Sequence, residues 1–141
     1  MPWRGPARWP RCRPAARPAR AAATYYRTLA RRPAVDGTAQ AERFVVRRYP
    51  DSVAVAVYAA GAPGGPPRFQ RTFLPTETRL LTLRGRGGTD VFEVRTAPGR
   101  VARLRLVIVP GPGPARLAAE GPRRRLTYHG AAAHGRTPAL P

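Results

Sequence analysis

Residues Val101–Val109, with the sequence VARLRLVIV, decide the fold class of this chain. In this stretch Leu104, Leu106 and Ile108 occupy every second position, and arginine or valine fills the positions between them. Side chains that repeat with a period of two lie on one face of a β-strand, whereas a helical face needs a period of about 3.6. The stretch therefore predicts a strand, and it is the strongest strand signal in the chain.

Five further stretches between residues 43 and 95 show the same alternation or a run of β-branched and aromatic residues. Turn residues separate them, such as Pro50-Asp51-Ser52 and the irregular loop 61–67 (GAPGGPP). The predicted strands are 43–49, 52–59, 68–74, 78–84, 90–95, 101–109 and, as a short last one, 126–129. Because no helical pattern intervenes, the sequence predicts an all-β fold of six or seven strands in a β-helix-like or sandwich-like stack.

The alternation also predicts which side chains form the core. They are the apolar residues on one face of each predicted strand, together with one leucine from the segment before the first strand. The predicted core is Leu29, Phe44, Val46, Val53, Val55, Val57, Phe73, Leu81, Leu83, Phe92, Val94, Leu104, Leu106 and Ile108.

The two ends of the chain differ from this centre in composition. Residues 1–23 are an Arg/Pro/Ala arm that offers too little apolar surface to offset its ordering entropy, so we expect it to be disordered. A short helix is predicted over 21–32, and Pro33 would end it. Residues 130–141 are predicted to be a disordered tail. A single β-rich domain is therefore expected over 24–129.

The formal net charge of +19 comes from 26 basic residues, all of them arginine, against seven acidic ones. The chain has no lysine and no asparagine, a bias towards GC-rich codons that would produce arginine without selection for binding. Such a charge nevertheless attracts nucleic acids and other polyanions. Its densest run, Arg123, Arg124 and Arg125, is the candidate polyanion-binding site, and a solvated turn is the alternative interpretation.

The sequence contains no recognisable catalytic constellation. Cys12 is the only cysteine, which excludes an intrachain disulfide and a cysteine-based zinc site. Ser52 is the only serine and has no histidine near it in the sequence. No stretch reaches the roughly 20 apolar residues of a membrane span, and the arginines of the N-terminus precede no apolar region of the kind found in secretory signals. We expect a protein that is not an enzyme, with no membrane span and no secretory signal.

Three glycine turns share a spacing and begin at Gly37, Gly85 and Gly111. The middle one (GRGGTDVF) matches the calcium-binding β-roll repeat of the RTX type, G-G-x-G-x-D-x-U, at its first and fourth positions, its aspartate and its apolar position. Glycine lets backbone carbonyls turn inward, and aspartate supplies the charged oxygen that calcium takes. Gly85, Gly88 and Asp90 are therefore candidate calcium ligands.

A purely structural role for the same turns is the alternative. Calcium takes about 6–8 oxygen ligands, which a β-roll draws from two stacked turns. In this chain the turn after Gly37 carries Glu42 in place of aspartate, and the turn after Gly111 has Ala115 where the acid belongs. Apart from this candidate calcium site, the sequence predicts no cofactor.

Four ordered blocks carry a resemblance to a known family. They are Tyr25–Phe44 (with YYRTL, VDGT and ERF), Arg71–Arg79 (RTFLPTETR), Leu83–Phe92 (LRGRGGTDVF) and Arg103–Ile108 (RLRLVI). Together, over about 24–129, they resemble a β-rich region of bacterial surface-antigen outer-membrane proteins. In that family the region lies between a calcineurin-like metallophosphoesterase domain and a C-terminal membrane barrel.

The resemblance implies a non-catalytic structural or connecting β module, part of a longer architecture, located in the cell envelope and in contact with neighbouring envelope-protein domains. It carries over no catalytic residue, because a metallophosphoesterase needs D-x-H, G-N-H-D/E and further histidines for two metals. This chain has two histidines, His129 and His134, and no asparagine. The alternative function is an Arg-rich nucleic-acid or polyanion-binding protein that acts through its arm and tail.

Overall fold

A computed structural model of the chain describes residues 29–62 and 64–130. These residues are mainly β-structure in two sheets, which confirms the predicted class. The strands are β1 (Ala34–Asp36), β2 (Glu42–Arg48), β3 (Val53–Ala59), β4 (Phe69–Phe73), β5 (Leu80–Arg84), β6 (Asp90–Thr96), β7 (Arg105–Val109), β8 (Ala115–Glu120) and β9 (Leu126–Tyr128).

The chain passes back and forth between the two sheets. The first sheet has the order β1-β5-β7-β9, and all of its neighbouring strands are parallel. The second has the order β4-β3-β2-β6-β8, with β2, β6 and β8 parallel. The antiparallel β3–β4 hairpin extends the second sheet beyond β2. Apart from the run β2-β3-β4, each strand of one sheet is therefore followed by a strand of the other.

The inner faces of both sheets contribute to one apolar core, at whose centre the rings of Phe44 and Phe92 stack with centroids 4.7 Å apart. Every predicted core residue but one is buried. The exception is Leu29, which is 53% exposed, so its prediction was wrong. Leu29 precedes the first strand and belongs to no alternating pattern, whereas Val35 and Ala102 were missed and are buried.

Two strands were not predicted, and one was predicted too long. β1 has three residues, and β8 (ARLAAE) is rich in alanine, so neither carries a strong strand signal. Residues 101–104 keep the alternation of buried and exposed side chains, but they form the corner that leads from the second sheet to the first. There the Ala102 N–H donates to the Tyr49 carbonyl at 3.2 Å, and β7 begins only at Arg105.

Several sequence predictions fall on residues outside the described ranges. Residues 29–31 are helical and Arg32 is not, while residues 21–28 of the helix predicted over 21–32 lie outside the described ranges. The arm 1–23 and residues 131–141 of the predicted tail lie outside as well. Among the described residues, no helix is long and apolar enough to cross a membrane.

Candidate functional site

The three glycine turns lie together at one corner of the molecule, where the chain leaves the first sheet and enters the second. Parallel pairing of β2 with β6 and of β6 with β8 stacks the turns in the order in which they occur. Gly88 packs against the backbone of Gln40 and Ala41 in the first turn, and Gly113 packs against Gly88. The shared spacing in the sequence thus corresponds to one continuous corner, which we call the glycine corner.

Two buried carboxylates occupy the glycine corner, one from each of the first two turns. Asp90 is 1% exposed and Glu42 is 2% exposed. The Glu42 N–H donates to Asp90 Oδ1 at 3.1 Å. The Glu42 carboxylate in turn accepts the Thr38 N–H at 2.7 Å and the Thr38 hydroxyl at 3.1 Å, and Arg68 lies 3.5 Å from it. Both acids therefore accept backbone N–H groups of the turns.

In each of these two turns the carboxylate lies against the first glycine and leaves no room there for a side chain. A side chain on Gly85 would collide with Asp90 Oδ2, and one on Gly37 would collide with Glu42 Oε2. Glycine is therefore needed here for space, so that the carboxylate can fold back over the turn. The third turn has Ala115 in register with Asp90, and no carboxylate of the described residues caps it in this way.

The candidate calcium ligands Gly85, Gly88 and Asp90 lie in this corner, with Asp90 Oδ1 occupied by a backbone N–H. In the described part of the chain no group of three or more His, Cys, Asp or Glu side chains is placed to hold a metal ion. Asp90 and Glu42 are the two buried acids of the corner, and calcium takes about 6–8 oxygens. Calcium binding stays a prediction, and the structural role of the turns has direct support from these contacts.

Burial raises the pKa of the Asp90 carboxyl, and the Glu42 carboxylate raises it further, while the hydrogen bond from the Glu42 N–H opposes both. A carboxyl with a raised pKa in the folded state holds its proton to higher pH than it does in the unfolded chain. Its contribution to stability is therefore fully present below the ordinary aspartate pKa of about 3.9 and is lost as pH rises through the folded-state pKa.

We expect Asp90→Asn to remove this pH dependence. Asparagine keeps an oxygen for the Glu42 N–H but carries no charge, so at neutral pH the variant should be at least as stable as the wild type. As the pH falls towards the ordinary aspartate pKa, the wild type should gain on the variant. Urea unfolding at a series of pH values measures the difference, and a difference that moves in the opposite direction contradicts the assignment.

Asp90→Ala serves as the comparison, because it leaves the buried Glu42 N–H without an acceptor, at a cost of about 1–3 kcal/mol. Thermal melts of the wild type and of both variants, with millimolar calcium and with chelator, test the calcium prediction. A ligand bound only by the folded state raises the melting temperature. A rise that Asp90→Asn abolishes would establish the calcium site, and we expect no rise.

The opposite corner, where the chain leaves the second sheet, is built around Arg48. This side chain is 1% exposed. Its Nη1 donates to the Thr96 hydroxyl and to the Pro122 carbonyl, each at 3.3 Å, and its Nη2 donates to the Arg124 carbonyl. Burial lowers the pKa of the guanidinium, and among the described residues its buried Nε has no hydrogen-bond partner.

The candidate polyanion-binding residues Arg123, Arg124 and Arg125 form the turn that Arg48 holds. All three are exposed. Arg124 and Arg125 line an open cleft of about 880 Å³. The remaining lining residues are Pro50, Pro75, Thr76, Arg100, Val101, Arg103 and Arg105. Two of the three candidates therefore share a surface with three arginines from a distant part of the sequence.

Comparison of the chain with models of known protein families, with curated proteins and with solved structures gave no match. The resemblance to the connecting region of surface-antigen outer-membrane proteins therefore stays a hypothesis that rests on the four sequence blocks.

Sequence reasoning missed the burial of Arg48 and Glu42 and the contribution of Arg100, Arg103 and Arg105 to the cleft. The sequence did contain a signal for the burial of Glu42 and Arg48. Both lie an even number of residues from the buried Phe44 in β2 and therefore share its face of the strand. No signal in the sequence joined the second group to Arg124 and Arg125, since that requires knowing that β7 pairs with β9. Ser52 is half-buried, and its hydroxyl donates to Asp51 Oδ1 at 3.0 Å.

Proposed function

We propose that this protein is a non-catalytic structural or connecting β module, a β-helix-like stack that acts as a rigid spacer between neighbouring domains. This is the role that the resemblance to the envelope-protein region implies. The observation that carries the proposal is that buried polar side chains form hydrogen bonds between segments far apart in the sequence.

Buried polar groups in this chain join segments that are far apart in the sequence. Asp90 accepts the Glu42 N–H, and Arg48 donates to the carbonyls of Pro122 and Arg124. Thr78 is 2% exposed, and its hydroxyl donates to the Ala30 carbonyl at 2.8 Å. Satisfied buried polar contacts make a core rigid, because breaking them leaves desolvated groups without partners. These groups hold successive passes of the chain together, which is what a spacer requires.

The arrangement of the core supports the same proposal. Both sheets contribute to a single cluster of buried apolar residues, so the sheets do not move independently without exposing it. Parallel pairing repeats along β2, β6 and β8 and along β5, β7 and β9. A stack of this kind separates its two ends by a fixed number of strand spacings.

The rigidity can be tested by measuring a distance across the second sheet. Gln70 on β4 and Ala118 on β8 are exposed and lie in one register row, joined through Ala56, Val45 and Glu93. Four strand spacings separate them, which gives about 19 Å between their backbones. We expect spin labels on Gln70→Cys and Ala118→Cys, in a Cys12→Ala background, to give one narrow distance distribution near this value, lengthened by the label linkers.

The same doubly labelled chain in concentrated urea is the control and should give a broad distribution. A broad or double distribution under native conditions would contradict a rigid spacer. A narrow distribution much longer than four strand spacings would contradict the order of strands in the second sheet, on which the proposal depends.

A further inference from the structure

An open cleft of about 880 Å³ lies between the start of β7 and the start of β9. Five arginines line it, namely Arg100, Arg103, Arg105, Arg124 and Arg125, and we call it the arginine cleft. All five are exposed, so their guanidinium groups are open to solvent. We propose that the arginine cleft binds a chain of linked phosphate groups, and that buried Arg48 is the residue that positions one of its walls.

The arginines of the cleft form no close ion pair among the described residues. All seven acidic residues of the chain lie in the described ranges, and four of them form ion pairs there. The arginines in those pairs are Arg43, Arg68, Arg84, Arg86 and Arg95. Within the described residues none of the cleft arginines is paired with a carboxylate. Charges of one sign in a concave surface focus the field and raise the local concentration of anions.

One wall of the cleft is held in a fixed conformation. Arg125 has φ of 59°, in the left-handed region that non-glycine residues rarely adopt. Its carbonyl accepts the Leu106 N–H at 2.8 Å, and the Leu126 N–H donates to the Arg123 carbonyl at 3.1 Å. Arg48 holds the same turn from inside. A strained backbone conformation of this kind persists only where the surrounding contacts impose it.

The pairing of β7 with β9 brings the backbones of cleft arginines together. Leu106 of β7 pairs with Leu126 of β9, so the residues before them, Arg105 and Arg125, are neighbours at the start of the first sheet. Arg103 lies two residues before Arg105, and both are exposed while Leu104 between them is buried. The cleft is therefore built by the strand pairing and exists before any ligand arrives.

The lining defines the class of ligand. Guanidinium groups bind phosphate oxygens in a bidentate manner, and several in one cleft suit a ligand with several phosphates. Among the described residues the lining includes no aromatic side chain, so the cleft offers no aromatic ring on which nucleobases could stack. Inorganic polyphosphate and the backbone of a single-stranded nucleic acid both present linked phosphates, and recognition through the phosphates alone should accept either.

The test uses the full chain, with fluorescently labelled polyphosphate and labelled oligothymidylate as probes, titrated over a series of salt concentrations. Two double variants with equal loss of charge are compared, because the many other arginines also attract anions. Arg103→Gln with Arg105→Gln removes two cleft residues. Arg71→Gln with Arg116→Gln removes two exposed arginines, on β4 and β8, outside the cleft. For a single-stranded probe, each phosphate that a variant no longer binds should lower the slope of log K against log salt by about 0.7.

We expect the cleft double variant to weaken binding of both probes at least tenfold and to lower the salt slope, with the matched double variant close to the wild type. Equal weakening by the two doubles would overturn the proposal, since the attraction would then come from net charge alone. Binding of oligothymidylate without polyphosphate would overturn recognition through phosphates. If the protein binds phosphatidylglycerol vesicles but neither soluble probe, the proposal is overturned in favour of a lipid surface as the ligand. Binding of polyphosphate alone, abolished in the cleft double, would support the proposal and identify the source of the phosphates.

Arg125→Asn separates binding from folding. Asparagine tolerates the left-handed conformation, so the variant should keep the thermal melt of the wild type while binding both probes less tightly. Unchanged binding with an unchanged melt would exclude Arg125 from the site and overturn the assignment of that wall. This inference is independent of the spacer proposal, because neither spin-labelled position lines the cleft and the distance measurement contains no anion.

Discussion

Replacing Gly88 with alanine should lower the free energy of unfolding by about 3–5 kcal/mol, from backbone strain together with overpacking. Gly88 has φ of 69°, a conformation that alanine adopts only with strain. A Cβ atom there would also lie 2.5 Å from the Ala41 nitrogen and 2.7 Å from the Gln40 carbonyl carbon. Because both neighbours are backbone atoms of the stacked turn, they cannot move aside as a side chain could. The corner would have to open, and equilibrium urea unfolding followed by circular dichroism measures the loss.

Two other glycines separate the causes of this loss. Gly99 has φ of 92°, but a Cβ atom at this position would have no neighbour within 4 Å among the described residues, so Gly99→Ala reports conformational strain without a clash. Gly61 has neither a positive φ nor a close neighbour, so Gly61→Ala should change stability by less than about 0.5 kcal/mol. We expect the order of loss to be Gly88→Ala, Gly99→Ala, Gly61→Ala. If Gly88→Ala costs no more than Gly99→Ala, the glycine turns do not stack as described.

The periodicity of the sequence predicted the strands and the core because both depend on local alternation. In β6 the pattern that placed Phe92 and Val94 inward also places Asp90 inward, and all three are buried. The same reasoning applied to β2 would have found Glu42 and Arg48, which share the parity of Phe44. They were missed because charged residues are usually assigned to the solvent face, and burying them requires partners that the alternation does not reveal.

The pairing of strands was beyond what the sequence could predict. Alternation says which side chains face inward, but it does not say that β2 lies beside β6 rather than beside a later strand. The recurrence of the glycine turns was the one signal of register, and the structure brings the turns at Gly37, Gly85 and Gly111 together. The arginine cleft had no such signal. Arg103 and Arg125 are ordinary surface arginines until β7 and β9 are known to be neighbours.

Arg48→Met should be the second most damaging substitution, lowering the free energy of unfolding by about 3 kcal/mol through the carbonyls that it leaves unsatisfied. Methionine keeps much of the volume but donates no hydrogen bond, so the carbonyls of Pro122 and Arg124 would lose the donor that they share. Removal of the buried charge opposes this loss of stability, since replacing buried ionic groups by apolar ones is in some proteins neutral or stabilising. The balance favours a loss because the two carbonyls and the Thr96 hydroxyl, all partly buried, lose their donor together.

Arg47→Met is the matched control, since it makes the same chemical change one residue earlier in β2, at an exposed position, and should stay within about 0.5 kcal/mol of the wild type.

Hydrogen exchange gives a second measurement that is local to the turn. The Leu126 N–H bonds to the Arg123 carbonyl inside the segment that Arg48 holds, so it should exchange faster in Arg48→Met even under conditions in which the variant stays folded. Slow exchange at Leu126, together with stability equal to that of Arg47→Met, would mean that the turn holds itself and that Arg48 merely fills space. Fast exchange at Leu126 with the rest of the first sheet still protected would instead locate the effect at the wall of the arginine cleft. In that case the loss of anion affinity in Arg48→Met should follow the opening of this turn.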